Sequence, residues 1–348
     1  MPGAYKMESV FLLLPDALLN WYRENRRSLP WREDRDPYHI WLSEIMLQQT
    51  RVEAVRGYYA RFLDKLPTIK VLANADDELL HKLWEGLGYY SRVRNLKKAA
   101  QIIENEYGGV FPREYKDVLA LPGIGPYTAG AICSIAFDQP TPAVDGNVLR
   151  VVARLTDDDT PVVTPAFKTK TEKLLSGVYP LEAGEFTQAL MELGATLCGP
   201  NRVPECGSCP CKDFCKGKYR AEKLPVRLPK RAKREEERTV FIISCNDRFA
   251  LTKRPEKGLL AGLWQFPDVP GTFTGQAAAD RAEELGFSVT NILREVEMTH
   301  IFTHIVWKMR GIYLQSSTEN ADYQWLTADE IRTKAALPTA YRQFWNEE

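Results

Sequence analysis

The chain has 348 residues, enough for two or three domains that each bury a core of their own. Its composition, 44% hydrophobic and 26% charged, is that of an ordinary soluble globular protein. The 46 Lys and Arg residues balance 46 Asp and Glu residues, which excludes the overall basic excess usual in DNA-binding proteins and leaves room only for a local basic face.

The N-terminal apolar run, residues 10–14 (VFLLL), is too short to span a membrane and is followed at once by Pro15. We interpret it as the start of an amphipathic helix. With no targeting or membrane segment in the sequence, the protein is expected to be cytoplasmic, where thiols stay reduced.

The pattern is helical up to about residue 217, with short loops marked by Pro and Gly. Helices are predicted at 37–63, 72–83, 90–107, 117–121, 128–137, 147–155, 167–178 and 181–197. From residue 239 the pattern favours strands, at 239–244 and 248–252 around the hairpin signal Asn246-Asp247, and again at 301–314 after a helix at 275–286.

The sequence therefore predicts a multidomain protein with an all-α region over residues 1–221 and an α+β domain over 239–348. Residues 222–238 between them are predicted to be a linker. The stretch 221–238 is rich in cations, and we interpret it as solvated in preference to a phosphate-binding arm.

Five of the seven cysteines lie between residues 198 and 215. In a reducing compartment this crowding indicates a metal site and not disulfides. Four of them follow the spacing C-x7-C-x2-C-x5-C, and the C-x2-C pair is a chelating spacing shared by zinc and iron–sulfur sites. Spacing alone leaves both metals open. The segment 199–215 has few apolar residues, so bound metal would supply folding energy.

A glycine hairpin is predicted at residues 121–128 (LPGIGPYT), between two helices. Gly123 and Gly125 permit positive φ in the turn, and Pro126 suits the first position of the next helix. The N–H groups near Gly125 and Tyr127 would form an anion site suited to a DNA phosphate. The alternative is a simple helical hairpin without a ligand.

Two carboxylates are candidates for catalysis. Asp145 precedes a helical run and is either an ordinary N-cap or a catalytic group. Glu44 lies in a helix that is apolar almost all round, so it is expected to be shielded from water, which would raise its pKa. The alternative for Glu44 is a side chain that faces solvent.

Taken in order, these features resemble the helix-hairpin-helix DNA glycosylase superfamily and, within it, the MutY-type adenine DNA glycosylases. The resemblance covers nearly the whole chain, through the cysteine run and the following blocks: LPWR (29–32), WLSEIMLQQT (41–50), GLGYYS (86–91), LPGIGPYTAG (121–130), VDGNV (144–148) and KGLLAGLW (257–264). It implies a glycosylase core with a helix-hairpin-helix subdomain at about 32–145, a cluster subdomain from 1–31 and 146–221, and a C-terminal Nudix-like domain.

The resemblance implies an enzyme that flips adenine paired with 8-oxoguanine or guanine out of double-stranded DNA and excises it by hydrolysis, acting as a monomer in base excision repair. It also implies a [4Fe–4S] cofactor. Its ligands would be Cys198, Cys206, Cys209 and Cys215, with Cys211 a bystander. Lyase-type relatives carry a lysine where this chain has Tyr127, so no Schiff-base step is expected.

Roles for individual residues also follow from the resemblance. Glu44 would protonate adenine and Asp145 would stabilise the sugar cation, with support from Tyr127 and Asn147. The lesion-bearing strand would be held by Gln49, Leu87 and Tyr89, the DNA backbone by Gly123 and Gly125, and 8-oxoguanine would be recognised by Thr303 and His304. The adenine pocket would comprise Arg26, Leu29, Trp31, Arg32 and Gln188.

The chain departs from the family pattern in three places. The first cysteine gap is seven residues where six are usual, and Thr303 replaces the usual serine of the recognition loop. In the C-terminal domain, Gly271 and Ala279 replace a glutamate and an arginine of the Nudix box, so pyrophosphate hydrolysis is expected to be lost. The competing hypotheses are a catalytically inactive DNA-binding scaffold, an active Nudix hydrolase, and a glycosylase or lyase acting on another base.

Overall fold

The computed structural model describes residues 9–229 and 232–345. They form two compact units. The first comprises residues 9–74 and 95–229, and the second comprises residues 75–94 and 232–345. The second unit thus includes a short segment that lies, in sequence, within the helical region. The predicted boundaries placed this segment, residues 75–94, in the all-α region 1–221.

The N-terminal two thirds of the chain is helical, as predicted. Its α-helices are α1 (Ser9–Asn25), α2 (Pro37–Leu47), α3 (Val52–Lys65), α4 (Ile69–Ala73), α5 (Asp77–Leu83), α6 (Ser91–Tyr107), α7 (Tyr115–Ala120), α8 (Pro126–Phe137), α9 (Gly146–Thr156), α10 (Pro165–Ser176) and α11 (Ala183–Ala195). Short 3₁₀ turns lie at Pro30–Arg32 and Lys218–Lys223.

Two predicted helices are each divided in the structure. The segment 37–63 forms α2 and α3, because Gln49 adopts a left-handed conformation with φ 62° that an α-helix cannot contain. The segment 72–83 is interrupted where the Asp76 side chain accepts hydrogen bonds from the N–H groups of Glu78 and Leu79 and so caps a new helix, α5. Helical periodicity continues through both breaks, so it did not reveal them.

The core of the first unit surrounds α8 and α11. Helix α8 is buried along most of its length and packs on α2, α7 and α11, while α11 also packs on α1 and α9. Apolar side chains of α1, α9, α10 and α11 fill one continuous cluster that extends to the cysteine run. Side chains of α2, α8, α9 and α11 that face this interior are therefore held in a rigid frame.

The second unit is built on a mixed sheet. Its strands are β1 (Arg234–Cys245), β2 (Arg248–Lys253), β3 (Trp264–Gln265), β4 (Asp268–Pro270), β5 (Val289–Ile301), β6 (Ile305–Ser316) and β7 (Gln324–Thr327). The order is β3-β2-β1-β6-β5, with β4 on β1 and β7 on β2; β1 and β6 are parallel and the other pairs are antiparallel. Helices α12 (Gly275–Glu284), α13 (Ala328–Thr333) and α14 (Thr339–Arg342) complete the unit.

The predicted linker is shorter than residues 222–238. Strand β1 begins at Arg234, which pairs with Ile305 on β6. The charged residues at its start remain in the sheet because their side chains find partners there: Glu236 accepts a hydrogen bond from the Trp307 indole at 2.8 Å, and Glu235 pairs with Lys308 at 2.6 Å. Among the described residues, none of the helices combines the length and apolar character needed to cross a membrane.

Candidate active site

A cavity of about 470 Å³ opens in the first unit, a size typical of pockets for small ligands. It is lined by side chains from α2, α8, α9, α11 and the loops beside them. The residues predicted from the sequence that line it are Leu29, Trp31, Arg32, Glu44, Gln49, Tyr127, Asp145, Asn147 and Gln188. The structure therefore brings both candidate carboxylates into one cavity together with most of the expected pocket.

Glu44 is buried on α2, with 6% of its surface exposed, as its apolar neighbours in the sequence indicated. The Tyr127 hydroxyl donates a hydrogen bond of 2.6 Å to its Oε2. Burial raises the pKa of Glu44 to about 7, and the negative charge of Asp145 adds to the rise, while the Tyr127 hydrogen bond and the Arg32 charge oppose it. Glu44 can thus hold a proton near neutral pH.

Asp145 is the N-cap of α9, and its carboxylate faces the same cavity. It accepts hydrogen bonds from the Val148 N–H at 2.8 Å and from the Asn147 side chain at 2.7 Å. Burial raises the pKa of Asp145, but these donors favour the ionised form and oppose the rise. These hydrogen bonds favour the ionised form of Asp145, and the capping contact to the Val148 N–H holds its carboxylate in place.

The sequence did not single out Arg150, which fixes Asn147. The guanidinium of this buried residue donates to the Asn147 side-chain oxygen at 2.8 Å, to the Gly194 carbonyl at 2.7 Å and to the Cys198 carbonyl at 2.9 Å. Gly194 allows this close packing, because a Cβ there would lie 2.7 Å from the Cβ of Asn147. A continuous set of hydrogen bonds thus connects Asp145 to the backbone at the first cysteine.

The sequence also did not single out Glu192 on α11, whose side chain is fully buried. It pairs with Arg27 at 2.6 Å and with Arg32 at 2.8 Å, and both arginines line the cavity. The prediction of Arg26 as a pocket residue is not supported: Arg26 is exposed and its neighbour Arg27 points inward, because Glu192 attracts the latter. The available signal was an acid within the apolar C-terminal half of α11, where Glu192 follows Ala189, Leu190 and Met191.

The glycine hairpin joins α7 to α8 as predicted, and Pro126 occupies the first turn of α8. Gly123 has φ 79°, but Gly125 has φ −100° and serves as the N-cap of α8, so only the first of the two needed a positive φ. Tyr127, in the first turn of α8, is held where its hydroxyl reaches Glu44. The hairpin therefore positions the hydroxyl that hydrogen-bonds to Glu44.

The four predicted cluster cysteines line one small cavity of about 30 Å³ beside α9 and α11, and Cys211 lines it too. Among the described residues, His, Cys, Asp and Glu side chains do not form a group of three or more that could hold a metal ion. The buried Arg154 lies beside the thiols, with its guanidinium 3.2 Å from the Cys198 sulfur. A buried cation beside cysteines that line one cavity fits a group with net negative thiolate charge.

The remaining predicted residues lie in the second unit, around a cavity of about 680 Å³. Tyr89, Thr303 and His304 are exposed, and the hydroxyls of Tyr89 and Thr303 are in contact. Leu87 lines the same cavity but is largely buried, with 7% exposed. Tyr89 has φ 46°, a strained conformation for a residue with a side chain, as is also found at Gln49.

The Nudix-box remnants lie on α12 of this unit. Glu283 and Glu284 are exposed, and Glu284 forms an ion pair with Arg281 of the same helix. Ala279 is buried where the box would need an arginine. Within the residues that the structure describes, no group of acids here converges as a cation site would require.

Fold and site together define a class, a helical base-excision glycosylase core joined to a Nudix-like domain. Residues 42–176 match the family model described as HhH-GPD superfamily base excision DNA repair protein, and residues 239–347 match that of the NUDIX domain. The chain is also similar to a thermostable thymine-DNA glycosylase, at 28% identity and a TM-score of 0.56, covering 61% of this chain and 97% of that one.

A non-covalent endonuclease III–DNA complex gives 25% identity and a TM-score of 0.51 over 62% of this chain and 98% of the other. Curated adenine DNA glycosylases match over both units. That of Rattus norvegicus is 35% identical over 94% of this chain and 76% of its own length, and that of Homo sapiens is 35% identical over 94% and 72%. The chain belongs to the adenine DNA glycosylase family.

Proposed function

We propose that this protein excises adenine from double-stranded DNA by hydrolysing its N-glycosidic bond, acting on adenine opposite 8-oxoguanine or guanine. The observation that carries the proposal is the presence of two carboxyl groups in one cavity: Glu44, whose pKa burial raises to about 7, and the partly buried Asp145, which accepts two hydrogen bonds that favour its ionised form. Cleavage of a glycosidic bond needs a proton donor for the leaving group and an anion that stabilises the sugar cation. Glu44 and Asp145 can supply these two groups.

Glu44 is the proton donor in this mechanism. Its proton goes to N7 of adenine. The protonated base then accepts the electrons of the breaking C1′–N9 bond and leaves as neutral adenine. Tyr127 orients the Glu44 carboxyl through the 2.6 Å hydrogen bond, and as a buried phenol with a raised pKa it stays neutral and keeps donating.

Asp145 faces the deoxyribose, where positive charge develops as the bond breaks. Its carboxylate stabilises that charge electrostatically or by a transient covalent bond to C1′. Water then adds to C1′ and gives a proton to the Glu44 carboxylate, which leaves an abasic site and restores the acid form of Glu44. Asn147 keeps the Asp145 carboxylate in position by donating to one of its oxygens.

The sugar–phosphate strand stays intact in this reaction. A lyase step needs an amine that forms an imine with the opened sugar, and the phenol of Tyr127 cannot form one. The adenine must first leave the base stack, because its reacting atoms cannot be reached inside a duplex. The cavity around Leu29, Trp31, Arg32 and Gln188 would then receive the flipped base.

We further propose that the second unit reads the base opposite adenine. Exposed Tyr89, Thr303 and His304 surround its cavity and supply one aromatic face, one hydroxyl and one imidazole. Gln49 lines the adenine cavity and is exposed, so it can contact the duplex there. The buried Leu87 would support Tyr89 from behind, and the hairpin at Gly123 and Gly125 would bind a phosphate.

The cysteine cavity is proposed to hold a [4Fe–4S] cluster on Cys198, Cys206, Cys209 and Cys215, with Cys211 remaining a bystander. Such a cluster, when bound, would cross-link a segment with few apolar residues and so contribute to folding. Anaerobically purified protein should be brown with visible charge-transfer absorption. Colourless protein with normal folding would overturn this assignment. We also propose a cytoplasmic monomer, to be checked by fractionation and light scattering.

The function is tested on a duplex with one adenine opposite 8-oxoguanine, treated with hot alkali after incubation to cut abasic sites. Wild-type protein should give a break at the adenine, and Glu44→Gln and Asp145→Asn should each abolish it while DNA binding persists. A matched control is Glu106→Gln, an exposed acid on α6 that should leave the rate unchanged. An intact duplex with the wild-type protein would refute the proposal.

A further inference from the structure

Helix α5 attaches the segment 75–94 to the rest of the second unit. Three charged side chains of this segment reach elements that lie more than 170 residues further along the chain. We call these three residues, Glu78, Lys82 and Glu85, the α5 clasp.

The first contact of the α5 clasp is made by Glu78. Its carboxylate accepts a hydrogen bond of 3.0 Å from the Trp264 indole N–H and forms an ion pair with Lys253. The backbone N–H of Trp264 donates in turn to the carbonyl of Ala336 at 3.3 Å. Glu78 is thereby connected through one tryptophan to the peptide that the other two members of the clasp contact.

Lys82 and Glu85 contact that peptide directly. The Lys82 ammonium donates to the Ala335 carbonyl at 3.2 Å, and Glu85 accepts a hydrogen bond of 2.9 Å from the Leu337 N–H. The two side chains also pair with each other at 2.8 Å. Ala335 and Leu337 are almost fully buried, so their backbone groups need partners inside the protein.

The same elements form the walls of the 680 Å³ cavity. One wall is residues 86–91, which follow the clasp directly, and another is the loop 300–305 between β5 and β6. Pro338 and Thr339, which follow the clasped peptide, also line the cavity. The Tyr89 and Thr303 hydroxyls meet across it. The clasp therefore holds the residues that directly precede the 86–91 loop, and with them the N-terminal end of the segment that carries Tyr89.

We propose that the α5 clasp positions the 86–91 loop so that the cavity can discriminate an 8-oxo purine from guanine, which makes Glu78 and Glu85 positioning residues for opposite-base specificity. This inference rests on the proposed function. 8-Oxoguanine and guanine differ only at C8 and N7. A site that distinguishes them needs polar groups held within a fraction of an ångström of their working positions.

The test compares single-turnover adenine excision from duplexes with 8-oxoguanine or guanine opposite adenine. Glu85→Ala leaves the buried Leu337 N–H without its carboxylate partner and should lower the 8-oxoguanine preference about tenfold. Glu85→Gln keeps an acceptor oxygen and should retain most of the preference. Glu283→Ala, an exposed acid on α12, is the matched control and should change nothing.

Glu78→Ala provides an independent variant, since the Glu78 side chain is 37% exposed and its removal leaves the buried peptide intact. Amide hydrogen exchange of the full chain without DNA supplies a readout separate from activity. Both clasp variants should accelerate exchange in residues 86–91 and leave residues 122–130 unchanged. Wild-type preference and wild-type exchange in folded Glu85→Ala and Glu78→Ala proteins would overturn the inference. Wild-type protein that excises adenine from neither duplex would instead refute the proposed function.

Discussion

The Tyr127→Phe substitution tests the assignment of Glu44 as the acid. Between about pH 6 and about pH 8 the protonated fraction of a carboxyl with a pKa of about 7 falls from roughly 90% to roughly 10%, so excision should slow about tenfold over this range. The Tyr127 hydrogen bond lowers the pKa of Glu44 because it favours the carboxylate. A hydrogen bond to a charged group contributes roughly 1.5–3 kcal/mol, or about 1–2 pKa units.

Removing the phenol hydroxyl should therefore move the alkaline limb of the pH profile upward by about one unit or more. The assay is single-turnover excision from about pH 5.5 to about pH 9, under conditions in which the chemical step is slower than DNA binding. A limb that stays in place, or moves to lower pH, would refute the reasoning.

The same shift links the stability of the fold to pH. Folding raises the Glu44 pKa from 4.5 to about 7, so the contribution of Glu44 to the free energy of unfolding is present below about pH 4.5 and lost as pH rises through about 7.

Three further changes have defined outcomes. Glu192→Ala leaves Arg32, whose side chain is 12% exposed, without its buried carboxylate partner and should lower the free energy of unfolding by about 3–5 kcal/mol in urea titration; a loss below about 1 kcal/mol would contradict this pairing. Asn147→Ala removes a donor to Asp145 and should slow excision roughly 10- to 100-fold without weakening DNA binding, whereas a near-normal rate would exclude the positioning role. Thr303→Ala should reduce the 8-oxoguanine preference, and an unchanged preference would exclude this hydroxyl from recognition.

Local sequence signals indicated the two candidate carboxylates, and the family resemblance supplied the other predicted residues of the site. The apolar neighbours of Glu44 indicated its burial, because a helix that is apolar almost all round is buried on every side. Asp145 before a helical run offered two interpretations, N-cap and catalytic group, and the structure shows that capping geometry and cavity position coexist in one side chain. The roles of such residues can be predicted from the sequence because they depend on the few positions around them.

Long-range contacts account for what the sequence did not show. Arg26 and Arg27 are adjacent and chemically identical, and only the position of Glu192 on a distant helix decides which one turns inward. The attachment of α5 to the second unit depends on Glu78 meeting Trp264, which lies 186 positions away in the chain. Periodicity carries no information on such pairs.

The most direct test of the central claim is to measure free adenine released per duplex in a single turnover, with the strand examined before and after hot alkali. The account predicts one adenine per adenine:8-oxoguanine duplex, an intact strand before alkali, and release by Asp145→Asn reduced at least about 1000-fold. Adenine release by Asp145→Asn at the wild-type rate, or a strand already cut before alkali, would contradict hydrolysis by the Glu44 and Asp145 pair.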